Sequence, residues 1–128
     1  MNFDRTGIIL YTLNYKACTD FYENKIGLKK LFENEMLTCF EFGGTYLMVE
    51  LDDRVPEGHT DQPAREKFCL RMNIENVKAL AGQLKSHDVE VDYQEHSWGT
   101  VAKFHDPDGN LCAFKDSASF EKQIEEFQ

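Results

Sequence analysis

The order of apolar and turn segments repeats once along this chain, and that repetition restricts the possible folds more than any other feature. Thr6–Leu13 (TGIILYTL) is β-branched and apolar, the composition of a strand. Asn14 is placed to cap a helix in which Tyr15, Cys18, Phe21, Tyr22 and Ile26 recur at spacings of three and four, and Gly27 supplies a left-handed stop. Three short strands are expected next, over Leu28–Glu33, Leu37–Phe42 and Thr45–Leu51, the last two joined by a tight Gly43-Gly44 turn. Residues 52–66 then lose all periodicity, hold two of the three prolines and read as a linker. After them the pattern restarts. A strand over Phe68–Ile74 precedes a helix with Val77, Leu80, Ala81 and Leu84 on one face, then strands over Val89–Gln94, Gly99–His105 and Asn110–Lys115. Asp106-Pro107-Asp108-Gly109 has the residues of a tight turn before the last of these.

The order is βαβββ twice, with Gly7 falling on Cys69 and Glu50 on Ala113 at offsets of 62 and 63 residues. A period of that length occurring twice indicates a duplicated module, not a solenoid. The fold class expected is α+β: two βαβββ modules forming a curved mixed sheet around a groove, plus a C-terminal helix. Residues 1–128 make a single domain, with module one at 6–51, the linker at 52–66, module two at 67–115 and the helix at 117–128. Ser117 or Ser119 is the expected cap of that helix. Its stripe of Phe120, Ile124 and Phe127 packs on this domain or on a partner subunit. Whether the modules pair within or between chains stays open.

Charge narrows the partners. Twenty-three acidic residues against fourteen Lys and Arg leave −9, which repels phosphate backbones and anionic membranes, so neither nucleic acid nor membrane is an expected partner. The same sign would favour a cationic ligand, but solubility is the preferred explanation of it. No apolar run approaches the roughly 18–20 residues of a membrane span. Met1-Asn2-Phe3-Asp4-Arg5 lacks the layout of a signal peptide, so a cytoplasmic location is expected. Cys18, Cys39, Cys69 and Cys112 contain no Cys-x-x-Cys pair and read as small buried hydrophobes.

Strand alternation divides the faces. Phe68, Leu70, Met72 and Ile74 share the face expected under a helix, leaving Cys69, Arg71 and Asn73 opposite. Ile8 and Leu10, then Leu47, Val49 and Leu51, then Cys112 and Phe114, go under helices in the same way. The other faces line a groove with Ile9, Tyr11, Met48, Glu50, Cys69 and Arg71, an apolar wall with a few polar groups as in small-molecule sites. Tyr46, Phe40 and Trp98 are aromatic groups available to stack on a planar or cationic ligand. Candidate ligand contacts are therefore Tyr11, Tyr46, Met48, Glu50, Cys69, Arg71 and Trp98. Glu50 is the candidate catalytic base if it is desolvated, and an Arg71 salt bridge is its structural alternative. Cys69 is reactive only with a cation beside it and otherwise inert. His59, His87, His96 and His105 read as solvated or turn-bonding side chains.

Three stretches carry a resemblance: Cys18-Thr19-Asp20-Phe21-Tyr22, Ile26-Gly27-Leu28, and Asp106-Pro107-Asp108-Gly109-Asn110. On paired βαβββ modules they resemble the vicinal oxygen chelate superfamily, which includes glyoxalase I, extradiol dioxygenases, fosfomycin-resistance enzymes and bleomycin-resistance proteins. The resemblance spans residues 6–115 and implies metal ligands on the first and last strands of each module, at Gly7, Glu50, Cys69 and Ala113. Gly7 and Ala113 bring no ligand atom, so no metal is expected at these positions and no cofactor is assigned.

Two classes of function follow. One is a glyoxalase- or bleomycin-resistance-like protein that binds a small molecule in the groove without a complete metal site, as a homodimer. The other is an enzyme, either a divalent-metal-dependent lyase or dioxygenase of the same superfamily or a metal-free catalyst using Glu50. Whether the chain is an enzyme is left open by its sequence.

Overall fold

The computed structural model describes residues 1–53, 67–105, 107 and 110–128. Eight strands among them form one mixed sheet: β1 (Arg5–Thr12), β2 (Lys30–Glu33), β3 (Leu37–Phe42), β4 (Thr45–Leu51), β5 (Phe68–Ile74), β6 (Asp92–His96), β7 (Gly99–His105) and β8 (Leu111–Asp116). The helices are α1 (Tyr15–Asp20), which continues as a π-helical segment over Phe21–Ile26, α2 (Val77–Ser86) and α3 (Ser117–Phe127). Strand order is β2-β3-β4-β1-β5-β8-β7-β6. The modules therefore join within one chain, through antiparallel β1 and β5, with Gly7 opposite Arg71 and Ile9 opposite Cys69. Inside each module the first and last strands run parallel, β1 with β4 and β5 with β8.

The duplication is visible in the element starts. Tyr15 and Val77, Lys30 and Asp92, and Leu37 and Gly99 open matched elements 62 residues apart. Strands β3, β4, β5 and β7 have the expected bounds. Strand β6 starts later than Val89, because α2 unwinds through Asp88 at φ 63° and Val89 N–H still bonds back to Leu84. The linker lies outside the described residues apart from Asp52 and Asp53, as do His59 and the turn residues Asp106, Asp108 and Gly109.

Both expected caps are corrected. Asn14 makes no side-chain cap bond; its own N–H donates to Thr12 Oγ1 at 2.9 Å. Helix α3 is capped by Asp116, whose carboxylate accepts from Ser119 N–H at 2.8 Å. Ser117 donates its hydroxyl to Asp4 instead. The apolar stripe of the first helix also fails as a core face. The wider π turn re-aims the residues after Asp20, and Phe21 and Ile26 end up exposed. Gly27, at φ 85°, stops the segment as expected.

The larger correction concerns which face is covered. Helix α3 lies on the groove face, where Phe120 and Ile124 join Ile9, Phe32, Cys39, Tyr46, Met48, Cys69, Leu111 and Ala113 in one buried cluster. Phe127, at the helix end, is outside it and exposed. The Phe120 ring sits 4.5 Å from Tyr46 and 5.4 Å from Phe32, centroid to centroid. On the opposite face α2 covers Ile74, Ala102 and Phe114. It packs over β7 and β8, so Phe68 and Leu70 stay 58% and 50% exposed rather than covered.

Beneath Phe120, Arg71 Nε donates to Tyr46 Oη at 2.8 Å, and the Tyr46 hydroxyl donates to Asn73 Oδ1 at 2.6 Å. The guanidinium also lies over both rings, at 5.6 Å from Tyr46 and 5.8 Å from Phe120. This stacked group ties α3, β4 and β5 together. Truncating Phe120→Ala should lower the unfolding free energy by about 3–5 kcal/mol through lost burial and a residual cavity. Urea denaturation at matched slope measures the loss, and an unchanged midpoint contradicts the docking of α3 on the groove.

Candidate functional site

The part of the groove face that α3 leaves uncovered is a cavity of about 430 Å³. Ile9 and Tyr11 reach it from β1, Met48 and Glu50 from β4, Cys69 and Arg71 from β5, Ala113 and Lys115 from β8, and Val101 and Lys103 from β7. Trp98, in the turn between β6 and β7, and His96 close one side, their rings stacked at 4.4 Å and 8°. Of the expected contacts, Tyr11, Met48, Glu50, Cys69, Arg71 and Trp98 converge here. Tyr46 does not, because Phe120 roofs it and its hydroxyl is spent between Arg71 and Asn73. Phe40 is buried near Tyr22 and does not line the cavity.

Register explains the charge pattern. Arg71 lies opposite Ala113 on β8, and Ala113 lies opposite Lys103 on β7, so two cations flank one methyl group along a single row. Lys115 is two residues further on the same face of β8. Its ammonium donates to the Trp98 carbonyl at 3.1 Å and lies 4.4 Å from the Trp98 ring centre. Gly99 makes that placement possible: a Cβ there would collide with Lys115 Nζ and Ser119 Oγ, and its φ of 143° suits only glycine. The alternation of β8 placed Lys115 on the groove face, but a lysine in an apolar strand reads as surface. Lys103 and Lys115 were thus missed as site residues; net charge concealed them as well.

Carboxylates occupy the other end. Glu50 and Asp53 line the cavity near Tyr11. Tyr11 is opposite Glu50 and four residues along β1 from Gly7, which puts Glu50 roughly 13 Å from the Arg71 row at about 3.3 Å per residue. The expected Arg71–Glu50 salt bridge is accordingly replaced by the Arg71–Tyr46 bond.

The positions at which the resemblance implies metal ligands can now be matched by register. Ala113 is opposite Arg71, two residues past Cys69; the same step from Gly7 reaches Ile9, opposite Met48. Met48, not Glu50, is thus the counterpart of Ala113. Glu50, opposite Tyr11, matches Lys115, opposite Asn73. The sequence alignment missed this because the parallel pair of module two reaches three residues further than that of module one. A side chain at Gly7 is excluded as well, since a Cβ would enter the Tyr46 ring. What remains is a thioether and the Cys69 thiol, which burial pushes up to about 11 against the pull of Arg71. This set does not fit a divalent cation. Among the described residues no three His, Cys, Asp or Glu side chains cluster to hold one.

Burial first, and repulsion from Arg71 second, bring Lys115 down from 10.5 to about 8. Unfolded chains keep this proton up to about pH 10.5 while the folded chain releases it near 8, so between those values the unfolded state holds more protons and folding gains as pH rises. In Lys115→Met this contribution vanishes. The stability difference between wild type and Lys115→Met should therefore move in favour of wild type from pH 8 to pH 10, as read by urea midpoints. A pH-independent difference contradicts the burial of the ammonium.

Comparison with known proteins follows the geometry. No protein of curated function matches the sequence. A crystal structure titled NAD-dependent benzaldehyde dehydrogenase from Legionella pneumophila superposes with a TM-score of 0.71 at 14% identity, covering 87% of this chain and 97% of the other. A hypothetical protein, BH1468, from Bacillus halodurans C-125 gives 0.70 at 17% identity, covering 91% and 94%. A glyoxalase/bleomycin resistance protein/dioxygenase superfamily member from Vibrio splendidus 12B01 gives 0.63 at 16%, covering 88% and 98%. At such identities these likenesses establish the fold alone. The family profile described as Glyoxalase/Bleomycin resistance protein/Dioxygenase superfamily matches residues 3–114. Two joined βαβββ modules and a profile match over most of their length agree: the chain belongs to the glyoxalase/bleomycin resistance protein/dioxygenase superfamily.

Proposed function

We propose that this protein is a small-molecule receptor of its superfamily, which binds an organic ligand in the groove without a resident divalent metal. The observation that carries this reading is the replacement of ligand positions by packing: Gly7 gives its space to Tyr46, and Met48 and Ala113 line the cavity as apolar wall. A cavity of about 430 Å³ with apolar walls and a few convergent polar groups has the volume and lining of a small-molecule site. Glu50 borders the same cavity, and a metal-free reaction using it as base would take place there.

Protein purified without chelator should contain no stoichiometric zinc, nickel, manganese or iron by elemental analysis. Thermal unfolding should be insensitive to those ions and shift upward with at least one class of small organic molecule. Stoichiometric metal, or no shift across a broad set of organic compounds at saturating dose, overturns the receptor reading. Any turnover found that survives Glu50→Gln excludes that carboxylate as its base.

We also propose a cytoplasmic homodimer. No described helix is long and apolar enough to cross a membrane. The seam of Phe42, Phe68 and Leu70 on the face away from the groove is the apolar surface that a second copy would cover. Light scattering after size exclusion should give a dimer for wild type and a monomer for Leu70→Glu. Monomeric wild-type protein overturns this assembly.

A further inference from the structure

We propose that the module-two half of the groove is an anion subsite, and that the ligand carries a carboxylate or similar oxyanion seated between Arg71, Lys103 and Lys115. This rests on the receptor reading above and adds to it the chemical class of the guest. In a chain of net charge −9, three cations from three adjacent strands face one cavity. Two of them are buried. Lys115 is 2% exposed and Arg71 9%, so water screens them poorly, and Arg71 disfavours the charge on Lys115.

The partners that face them offset only part of this charge: Asp116 pairs with Lys115, while Arg71 and Lys103 have no such partner among the described residues. Asp116 lies 4.0 Å from Lys115 Nζ at the limit of a salt bridge, its oxygens held by Thr100 N–H, Ser119 N–H and the Ser119 hydroxyl. Arg71 spends Nε on Tyr46 and, among the described residues, has no carboxylate within 4 Å; the same holds for Lys103. His96, on the Trp98 side, is stacked on the indole. The carboxylates that do line the cavity, Glu50 and Asp53, are at its far end. An oxyanion above Ala113 would meet a guanidinium and an ammonium on either side, and the small methyl beneath lets it approach the strands. Charge-assisted hydrogen bonds of this kind are stronger than neutral ones and are weakened by salt where exposed. The apolar walls, Ile9, Met48, Val101 and the Trp98 ring, then take a hydrocarbon or aromatic body.

Trp98 is the single tryptophan of the chain and lines the cavity, so its fluorescence reports occupancy directly. The probes are benzoate, hexanoate and phenyl phosphate as anions, with benzyl alcohol and benzylamine of similar size as neutral and cationic counterparts. Saturable change in Trp98 emission is expected with at least one anion, weakened by added salt and absent with benzylamine. A carboxylate preference and a phosphate preference are separated by comparing benzoate with phenyl phosphate. Arg71 also supports Tyr46, so the variant used is Lys103→Glu, whose side chain is exposed and outside the buried cluster. Its affinity for the binding anion should fall about tenfold, the effect of losing one charge-assisted contact and gaining repulsion, with an unchanged circular dichroism spectrum. Benzylamine binding without anion binding, or undiminished anion affinity in Lys103→Glu, overturns the subsite while leaving the receptor reading in place. Absence of any response to all five probes overturns the subsite, and the receptor reading falls only if the broader thermal screen is also blank.

Discussion

Tyr46 lies flat in the space that Gly7 leaves open, and much of the molecule is arranged around that contact. The ring supports Phe120 from below, which seats α3 on the sheet. The hydroxyl orders Arg71 and Asn73, which brings the guanidinium to the floor of the cavity instead of out to solvent. A side chain on β1 at this point would remove all three arrangements together. At Gly7 packing leaves no room for a side chain, and the helix held by that packing covers part of the sheet face.

Arrangement of elements was largely legible in the sequence, because it depends on local signals. Alternation marked the strands, and Gly43-Gly44 and Gly27 marked turns that need left-handed backbone. Faces were less legible. The alternation in Phe68–Ile74 was read correctly as two faces, but the apolar one was assigned to the interior because hydrophobicity was taken to measure burial. In the folded chain the row Cys69, Arg71 and Asn73 is the buried one, since α3 arrives from fifty residues further along the sequence to cover it. No local window contains that information. Caps failed for a related reason: Ser117 or Ser119 was the expected cap of α3, whereas Asp116 caps it and bonds also across to Thr100 on β7.

The candidate site divides in the same way. Residues on the central strands, from Tyr11 to Arg71, could be gathered by alternation and a repeat offset. Alternation put Lys115 on the same face, but neither it nor Lys103 could be recognised there, since their significance comes from register: a three-residue difference between the parallel pairs moves the counterpart of Glu50 from Ala113 to Lys115. An offset of 63, taken from the sequence, and the true pairing differ by two residues. That keeps the face and changes the chemistry. Burying Lys115 also has a cost that its contacts only partly offset, as its lowered proton affinity shows. Gly99 is the residue that tolerates the arrangement, on a backbone that no other residue adopts without strain.

Duplicated modules related by an approximate two-fold would ordinarily present equivalent corners to whatever enters between them. Here the matched corners hold Glu50 on one side and Lys115 on the other. The two ends of the cavity therefore carry side chains of opposite sign. The halves share an ancestry of shape, yet the cradle between them has a head and a tail.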